Sequence, residues 1–354
     1  MKILVIQQKM IGDVLASSII CNNLKKEYPN SEIHYLIYPF TQPVVENNPN
    51  IDKIILFKDE YRKSKKALWN FILSIRKTKY DIIIDAYGKL ESQMIVALSG
   101  AKTKIGFHKS YSKFIYSQVI PNHSVAQTNA GLALESRLNL AKAVIKSDHL
   151  DIKPHIYLTS AEIENGKKII EKHQIDSSKK IFMIGVLGSG TTKTYPFNFM
   201  AVILDFIVKE TDATLIFNYM PSQSKEANSI YDLCQPETQK HIQIDLIPGS
   251  IREFLSITYH CDALIGNEGG AVNMAKALDI PTFTIFSPWI RKEAWNAFEN
   301  GQFNVSVHLK DFKPEVYGAK SPKEMKKKAL ELYDLFTPDL ILPSLELYLD
   351  NIYK

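Results

Sequence analysis

Short, almost unbroken runs of Ile, Leu and Val alternate with stretches of helical periodicity, and this alternation leaves few folds open. In the first half the apolar runs fall at 2–6 (KILVI), 32–37 (EIHYLI), 53–57 (KIILF) and 80–85 (YDIIID), and AKTKIGF adds one ending near Phe107. Between them, Val14, Leu15, Ser18, Ile19 and Leu24 lie at helical spacing in a stretch closed by Pro29 and Asn30. Further helical stretches fall near 41–47, 64–77, 90–98 and 130–146. A strand covered on both faces loses its polar alternation, and strands separated by helices pair in parallel. The pattern therefore predicts βαβ units around a mostly parallel sheet.

The segment KPHIYLTSAEIENGKK reads as a crossing into a second unit, with an extended stretch from Pro154 and a helix opening at Ser160. Apolar runs at 181–187, 213–218, 242–247, 262–266 and 282–286 then alternate with helices at 197–210, 222–234, 251–260 and 270–279. The segment 321–354 reads as an amphipathic helix broken at Pro338 and Pro343. A length of 354 residues fits two domains. We expect a doubly wound α/β domain over 1–158, a second over 159–330, and a helical segment 331–354 packing back on the first. Two such sheets are expected to face a central cleft, with ligands at the carboxyl ends of their strands.

Composition removes several alternatives. With 45% hydrophobic and 23% charged residues the chain is neither disordered nor fibrous. No apolar run reaches the roughly 18 residues of a membrane span. The opening MKILVIQQKMIGDVL lacks the apolar core and cleavage site of a secretory signal, so a cytoplasmic location is expected. Cys21, Cys234 and Cys261 are far apart, which argues against a disulfide framework or a cysteine zinc site. Histidines 34, 108, 123, 149, 155, 173, 241, 260 and 308 form no HxH or HExxH pair, and no metal site is expected. No GxSxG elbow occurs. Trp69, Trp289 and Trp295 read as packing residues, with Trp289 alternatively lining the cleft.

The net charge is +5, and residues 60–79 alone carry seven Lys or Arg against one Glu. This segment is either a solvated helix face or a patch for an anionic partner. No nucleic-acid-binding pattern accompanies it.

Three segments could carry chemistry. In QQKMIGDVL, Gly12 allows a tight backbone and Asp13 opens a helix, either as its cap or as a general base. In GVLGSGTTKTYP, glycines 185, 188 and 190 let backbone N–H groups approach a phosphate, with Ser189, Thr191 and Thr192 as hydroxyl donors and Lys193 as a cation. The other reading is a flexible loop with a solvated lysine. The spacing fits neither a Walker A loop nor GxGxxG. In IGNEGGAVNMAKAL, a helix starts directly after Glu268, Gly269 and Gly270. Its first amides suit an anion and Glu268 suits a sugar hydroxyl, unless the segment is only a tight turn.

Taken together and in order, these segments resemble glycosyltransferase family 9, the ADP-heptose:lipopolysaccharide heptosyltransferase family. The opening resembles its strand followed by G-D-V/I-L. IIIDAYGKL resembles its D-x-x-G segment, and TTKTYP its T-x-K-x-W-P loop, with Tyr195 in place of Trp. GNEGGAVNMAKALDIPTFTIFSP resembles its G-N-D-[ST]-G-x-x-H-x-A-x-A-L signature and the P-x-x-x-[IL]-[FY]-[GS]-P that follows. The resemblance spans roughly residues 1–310.

It implies a GT-B fold and an inverting, metal-independent transfer of a sugar, heptose foremost, from a nucleotide-diphosphate donor to a lipopolysaccharide core or related anionic glycolipid. The implied donor is ADP-heptose and no cofactor is implied. The acceptor domain comes first and the donor domain second. Asp13 falls on the catalytic base. Ser189, Thr191, Thr192, Lys193, Glu268, Gly269, Gly270, Ala271 and Asn273 fall on the donor side. Gly12, Gly88, Lys89, Lys63, Lys65 and Lys66 are assigned to the acceptor. The acceptors of the family place the enzyme peripherally on the cytoplasmic surface of the inner membrane. Glu268 replaces the commoner Asp and Asn273 the usual His, which leaves open a different nucleotide-sugar for capsule or O-chain synthesis, or nucleotide-sugar binding without catalysis. A nicotinamide oxidoreductase would need a glycine fingerprint after the first strand, where only Gly12 is found.

Overall fold

A computed structural model describes residues 1–109, 114–121, 125–318 and 321–353, so His123 and Lys354 lie outside the described residues. The chain divides into two compact units, Met1–Tyr157 and Leu158–Lys354.

The first unit holds β1 (Lys2–Ile6), β2 (Glu32–Ile37), β3 (Lys53–Leu56), β4 (Ile82–Asp85), β5 (Thr103–Phe107) and β6 (Gln118–Ile120). They pair in parallel in the order β3-β2-β1-β4-β5-β6. The second unit holds β7 (Ile181–Gly185), β8 (Thr214–Phe217), β9 (Ile242–Gln243), β10 (Ala263–Asn267), β11 (Thr282–Ile285) and β12 (Asn304–Val307). Their order is β12-β11-β10-β7-β8-β9, again parallel throughout. Counted from its own first strand, each sheet runs 3-2-1-4-5-6. The order reverses between β1 and β4 and between β7 and β10, and a reversal opens a crevice at the strand ends. Register sets those ends level: Ile6 lies opposite Asp85, and Gly185 opposite Gly266.

Central strands are buried almost completely, as expected of strands covered by helices on both faces. Edge strands β6 and β12 were not foreseen. Gln118–Ile120 is mostly exposed and Asn304–Val307 only half-buried, so neither has a continuous apolar run. The stretch at 41–47 is a 3-10 turn, Pro39–Val44, whose two prolines lack the donors an α-helix needs.

The C-terminal segment also differs from expectation. Pro338 opens the helix Pro338–Tyr353 instead of breaking it, a position where its missing N–H costs nothing. Pro343 sits inside this helix, which is held by Ile341, Leu345, Tyr348 and Leu349. These side chains enter the core of the second unit, with Tyr348 5.4 Å from the Phe283 ring. The helix packs against Phe197–Thr211 of its own unit.

Candidate active site

In the first unit, β1 runs into Gln7, Gln8 and Lys9 before the helix Ile11–Glu27. Met10 occupies the cap position, so Asp13 is not the helix cap and Gly12 is a helical residue rather than a turn glycine. The Asp13 side chain is 6% exposed, and its Oδ1 lies 2.8 Å from Nη2 of Arg137 and 3.1 Å from Nζ of Lys9. Arg137 comes from the helix Leu132–Lys142, which packs on the helix of Asp13. Its Nη1 donates to the Ala133 carbonyl at 3.0 Å and its Nε to Ser17 Oγ at 3.4 Å; Ser17 Oγ also accepts from Gln7 Nε2 at 2.9 Å. Burial pushes the Arg137 guanidinium below its usual range, and the Asp13 carboxylate counteracts that. A fixed carboxylate at a strand end suits a proton acceptor whose orientation matters.

At the end of β4, Asp85 is fully buried. Its Oδ1 accepts the backbone N–H of Tyr87 at 3.0 Å and of Gly88 at 2.8 Å, and its Oδ2 accepts the Tyr116 hydroxyl at 2.8 Å. Burial pushes this carboxyl up, and the hydrogen bonds oppose the rise. Asp85 thus ties down the turn that carries Gly88 and Lys89, with Gly88 buried and Lys89 exposed beside β1. The Lys109 ammonium donates to the Gly88 carbonyl. Lys63, Lys65 and Lys66 are exposed on the helices Glu60–Lys63 and Lys65–Thr78, which follow β3, two strands away from β1.

In the second unit, β7 leads into the loop of Lys193, which is fastened rather than flexible. Gly188 N–H donates to Thr194 Oγ1 at 3.1 Å, and Gln223 Nε2 donates to the Gly188 carbonyl at 3.0 Å. Ser287 Oγ and Trp289 Nε1 both donate to the Thr192 carbonyl, at 2.7 and 2.8 Å. Tyr195 N–H donates to Asn267 Oδ1 at 2.7 Å, while Asn267 Nδ2 reaches the carbonyls of Gly185 at 2.9 Å and Val186 at 3.0 Å. Asn267 thereby binds the ends of β7 and β10 to the loop between them. A Cβ on Gly188 would stand 2.1 Å from the Lys193 carbonyl oxygen, so only glycine lets the loop fold on itself.

Lys193 Nζ lies 3.0 Å from Glu268 Oε1, an ion pair whose geometry falls short of a hydrogen bond, and 5.7 Å from the centre of the Trp289 ring. Lys326 Nζ lies 4.9 Å from the same ring. Glu268 N–H is already committed to the Ile285 carbonyl at 3.0 Å. Gly269 (φ +156°) then turns the chain into the helix Gly270–Ala277, which has no side-chain cap. Its first amides, at Gly270 and Ala271, are donors without a partner inside the helix. Asn273 sits partly buried one turn on. Ser189 and Thr191 are exposed, and Thr192 is partly buried. A cation, hydroxyls and a helix start at one strand-order reversal make an anion cradle.

Within each unit, then, the structure gathers the foreseen residues at the strand-order reversal, except Lys63, Lys65 and Lys66. Several partners were not foreseen. Arg137 had a visible signal: it lies on a stripe with Leu134, Leu138 and Ala141, where a charge on the buried face of a helix demands a partner. Asn267 and Ser287 carried none beyond their place at strand ends. Trp289 does line the Lys193 loop, and Trp69, at 52% exposure, is not a packing residue.

Comparison with known proteins agrees with the fold of two parallel sheets. Residues 68–323 match the model of glycosyltransferase family 9 (heptosyltransferase). Lipopolysaccharide heptosyltransferase 1 of Campylobacter coli is 26% identical over 295 residues, covering 81% of this chain and 84% of that protein. Among solved structures, the glycosyl transferase family 9 from Veillonella parvula DSM 2008 superposes with a TM-score of 0.74 at 17% identity, over 95% of this chain and 97% of that one. The E. coli heptosyltransferase WaaC with ADP gives 0.67 at 13% identity, over 94% and 100%.

Proposed function

The chain belongs to glycosyltransferase family 9 and has the GT-B fold, and from that premise we propose that it transfers heptose from ADP-heptose to the anionic inner core of lipopolysaccharide. The observation that carries the reading is the Lys193 cradle. A cation on a fastened loop stands beside Glu268 and an uncapped helix start, as a departing nucleoside diphosphate requires. The Campylobacter coli relative supports heptose and the E. coli structure with ADP supports the nucleotide.

In this mechanism Asp13 accepts the proton of an acceptor hydroxyl as its oxygen attacks the anomeric carbon. The bond from that carbon to the diphosphate oxygen breaks on the opposite face, so the configuration inverts. Lys193, the hydroxyls of Ser189, Thr191 and Thr192, and the amides of Gly270 and Ala271 take up the charge that builds on the leaving group. These donors supply the role often given to a divalent ion, so the reaction is proposed to be metal-independent. Glu268, within the same cradle, accepts from a donor hydroxyl. On the first unit Gly88, Lys89, Lys63, Lys65 and Lys66 meet the anionic acceptor. The enzyme works peripherally at the cytoplasmic surface of the inner membrane.

One observation favours a second reading. Asn273 stands at the helix start where the family usually has His, which supports a family 9 transferase using another nucleotide-sugar. Calorimetric titration of ADP, UDP, GDP and CDP into wild type and Lys193→Ala, without added metal, decides between them. Selective ADP binding weakened by the substitution is the expected result. Preference for UDP or GDP moves the enzyme to another sugar, and no binding to any of them overturns the donor site.

A further inference from the structure

The helix Lys65–Thr78 buries Phe71, Ile72 and Ile75 and turns the rest of its surface outward. At about 100° per residue, Lys65, Arg76, Trp69, Leu73, Lys66 and Lys77 follow one another around roughly 120° of that outer side. All six are exposed, with Trp69 at 52% and Leu73 at 45%. An apolar pair is thus bracketed by four cations, and the helix contains neither Asp nor Glu. Lys63 and Lys79 add exposed positive charge at its two ends. The helix packs on Leu90–Leu98, whose own exposed positions include Leu90 (72%) and Met94 (37%).

A solvated helix face explains the lysines but not an indole and an isobutyl group left in water between them. A peptide partner would supply carboxylates for the cations, yet the apolar pair is too small for a stable protein interface. A bilayer surface satisfies both parts. Lipid phosphates meet the lysines and the arginine, and the indole takes the headgroup level, where aromatic rings with one polar edge settle.

We propose that the outer face of Lys65–Thr78 is a membrane-docking surface for anionic lipid, with Trp69 and Leu73 entering the headgroup region and Arg76 and Lys77 pairing with lipid phosphates, beside the acceptor lysines Lys65 and Lys66. This deepens the peripheral location proposed above and rests on it only for the choice of membrane. The face assigns a role to Trp69, Leu73, Arg76 and Lys77, which the transfer reaction does not use.

The test is cosedimentation of the full chain with phosphatidylglycerol-containing vesicles and with pure phosphatidylcholine vesicles, at about 0.15 M salt. Wild type is expected to sediment with the anionic vesicles only. Trp69→Ser with Leu73→Ser should lower the partition coefficient about tenfold or more. Arg76→Glu with Lys77→Glu should lower it by a similar factor, with the remainder lost as salt rises. Both variants should keep the wild-type circular dichroism, and the Trp69/Leu73 variant should keep wild-type transfer to a lipid-free, water-soluble acceptor. Failure of wild type to bind anionic vesicles overturns the proposal, as does unchanged binding by the Trp69/Leu73 variant. A preference for single-stranded RNA over vesicles overturns it too. If wild type binds vesicles through Trp69 yet transfers no sugar, the transferase reading falls alone. If it transfers sugar but ignores vesicles, the docking surface falls alone.

Discussion

Both units carry their strands in the same order, yet what stands at the reversal differs in kind. At β1/β4 the strand ends are furnished with side chains: Asp13 against Arg137 and Lys9, and Asp85 against Tyr116 and two backbone amides. At β7/β10 they are furnished mainly with backbone: a glycine-hinged loop, an uncapped helix start, and a single ion pair, Lys193 with Glu268. One crevice is suited to moving a proton, which needs a titratable group in a fixed orientation. The other is suited to holding an anion, which needs many small dipoles close together. A shared topology therefore says where chemistry sits, and the loops decide which chemistry it is.

The comparison can be broken by substitutions that ought to affect one half only. The largest effect is expected from Asp13→Ala. Loss of a positioned base should lower kcat by about 10²–10⁴ while nucleotide affinity stays as in wild type. Steady-state kinetics beside calorimetry would show this, and a parallel loss of nucleotide affinity would erase the division. Next is Lys193→Ala, expected to weaken nucleoside diphosphate binding by roughly 10–100-fold, as for a charge-assisted contact. Among neutral changes, the backbone-built crevice should feel an added Cβ more than a lost hydroxyl. Gly188→Ala must displace the Lys193 carbonyl, whereas Ser189→Ala removes an exposed group, so the former should cost more donor affinity. Equal losses would mean that the hydroxyl, not the loop shape, holds the anion.

Asn267→Ala removes two donated hydrogen bonds and one accepted, all buried, at a cost of about 2–4 kcal/mol. Thermal unfolding should report it in the second unit. The smallest effect concerns Lys276, whose ammonium donates to the Ala297 carbonyl at 2.6 Å. Burial pushes its pKa down to about 8, against the opposing charge of Glu299. The unfolded chain keeps its proton up to the ordinary lysine range. Between those values the unfolded state binds more protons, so this lysine makes stability rise with pH across that window and adds no slope below it. Denaturant titrations of wild type and Lys276→Met at several pH values would isolate the slope.

Much of this was legible in the sequence because buried parallel strands and amphipathic helices leave strong periodic signals. β1, β4, β7, β10 and β11 could be read from their apolar runs, and Leu90–Leu98 from its helical stretch. β6 and β12 could not, since three residues opening on Gln118 and the polar–apolar alternation of Asn304–Val307 leave no such run. The site shows the same limit. Lys193 and Glu268 stand next to glycine-rich turns after strands, and Asp13 follows Gly12 just after β1, so all three could be picked out. Arg137, Ser287 and Trp289 reach the same places from segments far along the chain, and only the folded sheet brings them there. Gly12 reads as a turn glycine because a glycine one residue into a helix looks, in sequence, like a glycine that ends a turn.

The fastening of the Lys193 loop has a further consequence, for the order of events during synthesis. Thr192 is held by Ser287 and Trp289, and Tyr195 by Asn267 and by the Phe336 carbonyl, which accepts its hydroxyl at 2.7 Å. These partners lie 72 to 141 residues downstream. Contacts of such long sequence separation close late, after the intervening loops have given up their entropy. A nascent chain that has not yet released Phe336 from the ribosome lacks the last of the partners that shape this loop. The folded shape of the Lys193 loop is therefore among the last features the second unit acquires, and the onset of the proposed nucleotide capture in chains of increasing length would mark the completion of that unit.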